Sequence, residues 1–178
     1  MSETARRIII TGFMAAGKTT IATVLARRLA CRMIDLDFII NERERRNAQM
    51  IIDEDGEVSF RQAETEALRV LLENNTARVI ALGGGAWTIE RNRALVAEHD
   101  CLTIWLDAPF DLCWQRILSA GDTRPLARDK DAARELYDTR RALYQLAGLR
   151  LQASAEKSAE EVAAEIERWV ASTQDGEK

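Results

Sequence analysis

The chain has 178 residues, 47% of them apolar and 30% charged, with 2 Pro, 9 Gly and a net charge of −4. That length and balance predict one domain over 1–178 and exclude a disordered or linker-rich chain. An acidic chain without a basic field also excludes nucleic acid as a main partner, so an anionic small molecule must be held by a few locally placed Arg and Lys.

Ile8-Ile9-Ile10 reads as a strand running into a Gly-containing turn, after which Ile21, Val24, Leu25 and Leu29 recur at helical spacing. Met33-Ile34-Asp35 is a second short strand. From Glu57, the positions of Phe60, Ala63, Ala67 and Leu71 predict a helix. Val79 to Leu82 is a third strand, stopped by Gly83-Gly84-Gly85. Cys101 to Leu106 is a fourth, and Pro109 suits the first turn of the helix after it. Ser119–Glu135 is polar and highly charged; it predicts an exposed mobile lid, and the competing reading is a solvated loop running into a helix start. Leu136, Arg140, Leu143 and Tyr144 share a helical pattern, as do Val162, Ile166, Trp169 and Val170. Ser172–Lys178 is expected to be a frayed tail. Apolar strands separated by helices imply an α/β fold with a central parallel sheet of about five strands and helices on both faces. Ligands of such sheets bind beyond the carboxyl ends of the strands.

Three cysteines (Cys31, Cys101, Cys113) and one histidine, His99, with no CxxC, suit neither a disulfide framework nor a zinc site. Reduced, mostly buried thiols in a cytoplasmic protein are expected. His99 reads as a polar loop residue, and Trp87, just after the glycines, as a candidate site neighbour. No apolar run is long enough for a signal peptide core or a membrane span. No membrane partner is expected, and a monomer is the default.

Gly12-Phe13-Met14-Ala15-Ala16-Gly17-Lys18-Thr19 fits GxxxxGK[ST] between a strand and a helix. The glycines let backbone N–H groups turn inward, and with the helix N-terminus they form an anion site for ATP phosphates. Lys18 brings a point charge to the β and γ oxygens, and the Thr19 hydroxyl is a ligand for Mg2+. A guanine-reading NKxD is missing. Asp53-x-x-Gly56 matches DxxG without a preceding apolar strand and reads as a turn.

Asp35-Leu36-Asp37 ends the second strand, where residues i and i+2 share a face. Asp35 then serves magnesium, while Asp37 orients an acceptor hydroxyl and takes its proton; the competing reading is an Asp-rich exposed turn. Arg61, four residues after Glu57 and three before Glu64, is either a surface ion pair or a fork for a substrate carboxylate steadied by Glu64. Gly83, Gly84 and Gly85 make sense where a ligand approaches the backbone closely. Arg124, in Arg124-Pro125-Leu126-Ala127, is placed to close over the nucleotide, and Arg140 to reach the same centre. A surface role competes for each arginine taken alone.

In this order these motifs resemble the shikimate kinase family, over nearly the whole chain. They are the phosphate loop, Asp35-Leu36-Asp37, Gly56-Glu57…Phe60-Arg61…Glu64, Gly83-Gly84-Gly85-Ala86, Arg124-Pro125-Leu126 and Arg140…Leu143-Tyr144. The resemblance implies a three-layer P-loop kinase fold with a mobile lid. It implies ATP at Ala15, Ala16, Gly17, Lys18, Thr19 and Thr20, with magnesium at Thr19 and Asp35. It implies shikimate at Asp37, Phe60, Arg61, Gly83, Gly84, Gly85 and Arg140. Arg124 resembles the lid arginine that reaches ATP, and Arg116 is the nearest match to a second arginine near the adenine. Asp37, Lys18 and Arg124 would carry catalysis.

Departures fall at Ala15-Ala16, at Leu36, at Ala127 and at Arg46–Ile52, which lacks the family's Gly, Ser and pocket aromatic. None removes a charged ligand; Ala48 and Ile52 touch the apolar wall of the acceptor pocket. The expected reaction is ATP-dependent phosphorylation of the shikimate 3-hydroxyl, a step toward aromatic amino acids. Another small hydroxy acid such as gluconate is the alternative acceptor, and a nucleotide-binding regulator, which would not need Asp37, is the other.

Overall fold

Strand β1 (Ile8–Thr11) is fully buried, and in the computed structural model, which describes residues 5–121 and 129–175, it is the centre of the sheet. The other strands are β2 (Met33–Asp35), β3 (Val79–Ala81), β4 (Leu102–Asp107) and β5 (Leu149–Gln152). Their order is β2-β3-β1-β4-β5, and all pair in parallel. Alternation in β1 divides the core. Ile8 and Ile10 pack on one face against Leu25 of α1 (Lys18–Arg28) and Ile166 of α8 (Ala159–Asp175). Ile9 packs on the other, with α2 (Leu36–Glu44), α3 (Ala48–Asp55), α4 (Glu57–Asn74), α5 (Glu90–Glu98), α6 (Phe110–Ala120) and α7 (Lys130–Tyr144). The result is the expected three-layer α/β fold with a five-stranded sheet. Among the described residues, no helix is long and apolar enough to cross a membrane.

Several expectations change. The second strand ends at Asp35, not Asp37. The Asp35 carboxylate accepts the Asp37 N–H at 2.9 Å and so caps α2, which begins at Leu36. Residues 48–55, to which the sequence reading assigned no element beyond a turn at Asp53–Gly56, form a helix, capped by Asn47, whose side-chain oxygen accepts the Met50 N–H at 2.9 Å. Asp53 therefore lies within α3, and Gly56 (φ 89°) is the joint between α3 and α4, not part of a DxxG turn. His99 is the C-cap of α5, its Nδ1 2.9 Å from the Leu95 carbonyl oxygen. Trp87, in a 3-10 turn (Ala86–Thr88) behind the glycines, is buried, and its indole N–H holds the Leu143 carbonyl. Helix α8 continues through Asp175, so the tail expected to fray from Ser172 is helical there.

The expected lid segment is bounded by helix at both ends: Ser119 and Ala120 close α6, and Lys130–Glu135 open α7. Arg124, Pro125, Leu126 and Ala127 lie outside the described residues.

Candidate active site

The phosphate loop starts where β1 ends. A Cβ at Gly12 would stand 2.6 Å from the Leu106 carbonyl oxygen, and the backbone there has φ 144°, so only glycine fits. Gly17 (φ 100°) is the N-cap of α1 and contributes no side-chain cap. The first amides of α1 are thereby left for an anion. Lys18 donates to the Phe13 carbonyl oxygen at 2.8 Å, and Arg116 donates to that of Ala15 at 3.1 Å. Both cations thus brace the loop from within. A cavity of about 500 Å³ lies over it, lined by Ala15, Ala16, Gly17, Lys18, Thr19, Thr20, Asp35, Asp37 and Arg116, and on its far side by Ser154 and Lys157.

Ser154 and Lys157 escaped the sequence reading because they lie between β5, which went unrecognised, and α8. The signal was the alternation Leu149-Arg150-Leu151-Gln152.

Thr19 and Asp35 meet at the edge of this cavity, with the Thr19 hydroxyl donating to Asp35 Oδ2 at 2.5 Å. Hydroxyl and carboxylate oxygens are hard donors and fit Mg2+. Among the described residues, no three His, Cys, Asp or Glu side chains are grouped to cage a metal. That suits a cation held mainly by nucleotide phosphates and water.

The glycine triplet is a floor on which side chains from different elements rest. A Cβ at Gly83 would stand 2.6 Å from Asp37 Oδ1 of α2 and 3.1 Å from Glu64 Oε1 of α4. One at Gly84 would be 3.2 Å from the Met14 amide nitrogen and 3.6 Å from Arg140 Nη1 of α7. One at Gly85 would lie 2.7 Å from the Arg61 guanidinium carbon. Tyr144 fixes the floor by donating its hydroxyl proton to the Gly84 carbonyl at 2.5 Å. Above it is a hollow of about 90 Å³, whose apolar wall is Met14, Ala48, Ile52 and Phe60. Asp37 and Gly84 line both hollows, which makes them neighbours.

Gly85→Ala tests the floor directly. The new methyl displaces the flexible end of Arg61, so acceptor KM is expected to rise about tenfold, the worth of roughly one charged hydrogen bond, with ATP KM unchanged in steady-state assays.

Arg61 is neither a plain surface pair nor a free fork. It bonds Glu57 at 3.2 Å and the buried Glu64 at 2.9 Å, and its own side chain is only 18% exposed. Arg140 is more deeply placed, at 6% exposure, and has no ion pair within 4.0 Å among the described residues. Burial holds its guanidinium below the ordinary range, with Tyr144 as its hydrogen-bond partner. A buried guanidinium with no ion pair within 4.0 Å among the described residues calls for an anion in the hollow. Glu64 is 1% exposed, and its Oε1 has no hydrogen-bond partner among the described residues. Burial pushes its carboxyl up to about 7, against the pull of Arg61.

The site residues anticipated in the described part of the chain therefore border two adjoining cavities: one beside the phosphate loop, one with a buried cationic wall. Cys101 and Cys113 are buried and belong to neither cavity; burial pushes both thiols up to about 11.

Comparison with known proteins gives the same picture. The family model described as shikimate kinase matches residues 14–171. A shikimate kinase of Geobacter sulfurreducens is 39% identical over 168 residues, covering 93% of this chain and 91% of that one. The solved shikimate kinase of Acinetobacter baumannii, in complex with shikimate, superposes with a TM-score of 0.87 at 31% identity, covering 96% of each chain. A gluconokinase from Sinorhizobium meliloti, with a TM-score of 0.63 at 12% identity, covers 97% of this chain and 95% of its own and shares the fold alone. A family match over residues 14–171, with a relative 39% identical over nearly the whole chain, makes the chain a member of the shikimate kinase family.

Proposed function

We propose that the chain transfers the γ-phosphoryl group of ATP to the 3-hydroxyl of shikimate, giving ADP and 3-phosphoshikimate. The observation that carries this reading is the buried Arg140, with no ion pair within 4.0 Å among the described residues, facing a hollow that also holds Arg61 and Asp37. An acceptor whose carboxylate meets the two arginines has its ring against Phe60 and Ile52 and a hydroxyl toward Asp37. Asp37 takes the hydroxyl proton as the new O–P bond forms and the bond to the β-phosphate oxygen breaks. Lys18 and the α1 amides hold the phosphates, and Arg116 keeps the loop in shape. Arg124, which lies outside the described residues, would add positive charge at the nucleotide. Thr19 and Asp35 would hold Mg2+, which when bound neutralises phosphate charge. Most of the rate enhancement comes from positioning and charge, since this chemistry asks for little covalent help.

A coupled ADP-release assay with a panel of acceptors tests the reading. Turnover with shikimate alone is expected. Turnover only with gluconate or a nucleoside sinks the substrate assignment, and no acceptor-stimulated turnover points to a regulator.

Glu64 makes acceptor binding depend on pH. An anion in the hollow favours the neutral form of the neighbouring Glu64, so binding takes up part of a proton near pH 7. Acceptor affinity is expected to fall as pH rises through 7, by no more than about tenfold per pH unit, the limit for one proton. Calorimetry in buffers of different ionisation enthalpy measures the uptake, and Glu64→Gln should abolish it. The same group affects the fold. Its folded value of about 7 lies above the ordinary 4.5, so the folded state binds more protons in that window and stability falls as pH climbs through it.

A further inference from the structure

Arg61 walls a second hollow that the phosphoryl transfer does not use. This groove lies on the outer side of α4, between Glu57–Arg69 and the residues that open α5, and has a volume of about 600 Å³. That is within the range of small-molecule sites. Its lining is more apolar than polar and includes Val58, Thr65 and Ile89. Val58 is 73% exposed, with the side chain of a core residue and no cover among the described residues.

The charges around it are unequal. Glu66 is tied to Arg69 at 2.7 Å, and Glu57 to Arg61 at 3.2 Å. Arg91, at the opposite rim, has no carboxylate within 4.0 Å among the described residues. The groove thus offers an apolar floor and one uncommitted cation, the complement of a small apolar acid. The Arg61 guanidinium is shared with the acceptor hollow, where it lies against Gly85.

We propose that this groove binds a small monocarboxylate with an apolar body, its charge on Arg91 and its body on Val58 and Ile89, and that occupancy weakens acceptor binding through Arg61. A carboxylate held on Arg91 lies in the same groove as Arg61, and its negative charge draws the Arg61 guanidinium toward the groove and away from the acceptor carboxylate. Only this second half rests on the proposed kinase reaction.

The probe is 3-phenylpropionate, titrated by calorimetry into the full chain without substrates, with the neutral 3-phenylpropionamide as control. Binding at about 1 mM or tighter is expected for the acid, and weaker binding by at least about fivefold for the amide, for Arg91→Gln and for Val58→Asp. In assays, the acid should raise acceptor KM to a plateau about fivefold higher, leave ATP KM unchanged, and lose this effect in Arg91→Gln, whose basal kcat stays normal. No binding up to about 10 mM overturns the site. Binding that ignores both substitutions also overturns it, since the acid then sits in the acceptor hollow. A KM that climbs without a plateau, or does not move, overturns the coupling. Failure of the kinase reading would show instead as no turnover with shikimate, with the calorimetric result still deciding the groove.

Discussion

Asp37→Asn is expected to lower kcat by about 10²- to 10⁴-fold, the range for loss of a general base, while nucleotide affinity stays within about twofold. The substitution keeps the shape of a side chain whose Oδ1 lies close above Gly83 and whose backbone N–H is held by Asp35. Packing and the α2 cap therefore survive, and the loss reports the missing proton acceptor. Single-turnover phosphoryl transfer, alongside binding of a fluorescent ATP analogue, separates the two quantities. A kcat within threefold of the parent, or an equal loss of ATP binding, would remove Asp37 from the chemistry.

Arg140→Met should move function and stability in opposite directions. Loss of a charged hydrogen bond to the acceptor carboxylate predicts acceptor KM higher by about 10²-fold. The free enzyme, by contrast, is relieved of a buried guanidinium that has no ion pair among the described residues. Replacing such a charge by an apolar chain of similar length is expected to stabilise by about 1–2 kcal/mol, a rise in thermal midpoint of about 4 °C for a chain of this size. Steady-state kinetics and a thermal scan on one preparation test both. A variant that loses acceptor affinity and also melts earlier would mean Arg140 mainly holds α7 in place.

What could be read in the sequence was chemistry carried by contiguous or helically spaced residues. The phosphate loop holds its strand, anion cradle, lysine and hydroxyl within Gly12–Thr19, and Arg61 with Glu64 is fixed by one helical turn. The pair Asp35 and Asp37 was found for an incorrect reason. Strand periodicity would put both carboxylates on one face, whereas a helix cap brings the Asp37 N–H onto Asp35. Helix α3 was missed because Arg46, Asp53, Glu54 and Asp55 make its stretch look like a solvated loop, and only Ile51 of it is fully buried. The readable clue was Asn47 as a cap. Arg116 was offered through the resemblance alone as an arginine near the adenine; its guanidinium donates to the Ala15 carbonyl and lines the cavity over the phosphate loop.

That outer helix also sets where the molecule is free to change. Among the described residues, the ion pairs and side-chain hydrogen bonds of α3 and its cap are local: Arg46 to Glu54 and Asp55, Gln49 to Asp53, Asn47 to Met50. None ties it to the phosphate loop or the glycine floor. Ala48 and Ile52 nevertheless form part of the acceptor wall. Substitutions there reshape what the hollow admits without touching the groups that move the phosphoryl. The acceptor side is in this sense modular: one short helix can change what the hollow admits while the transfer machinery stays constant.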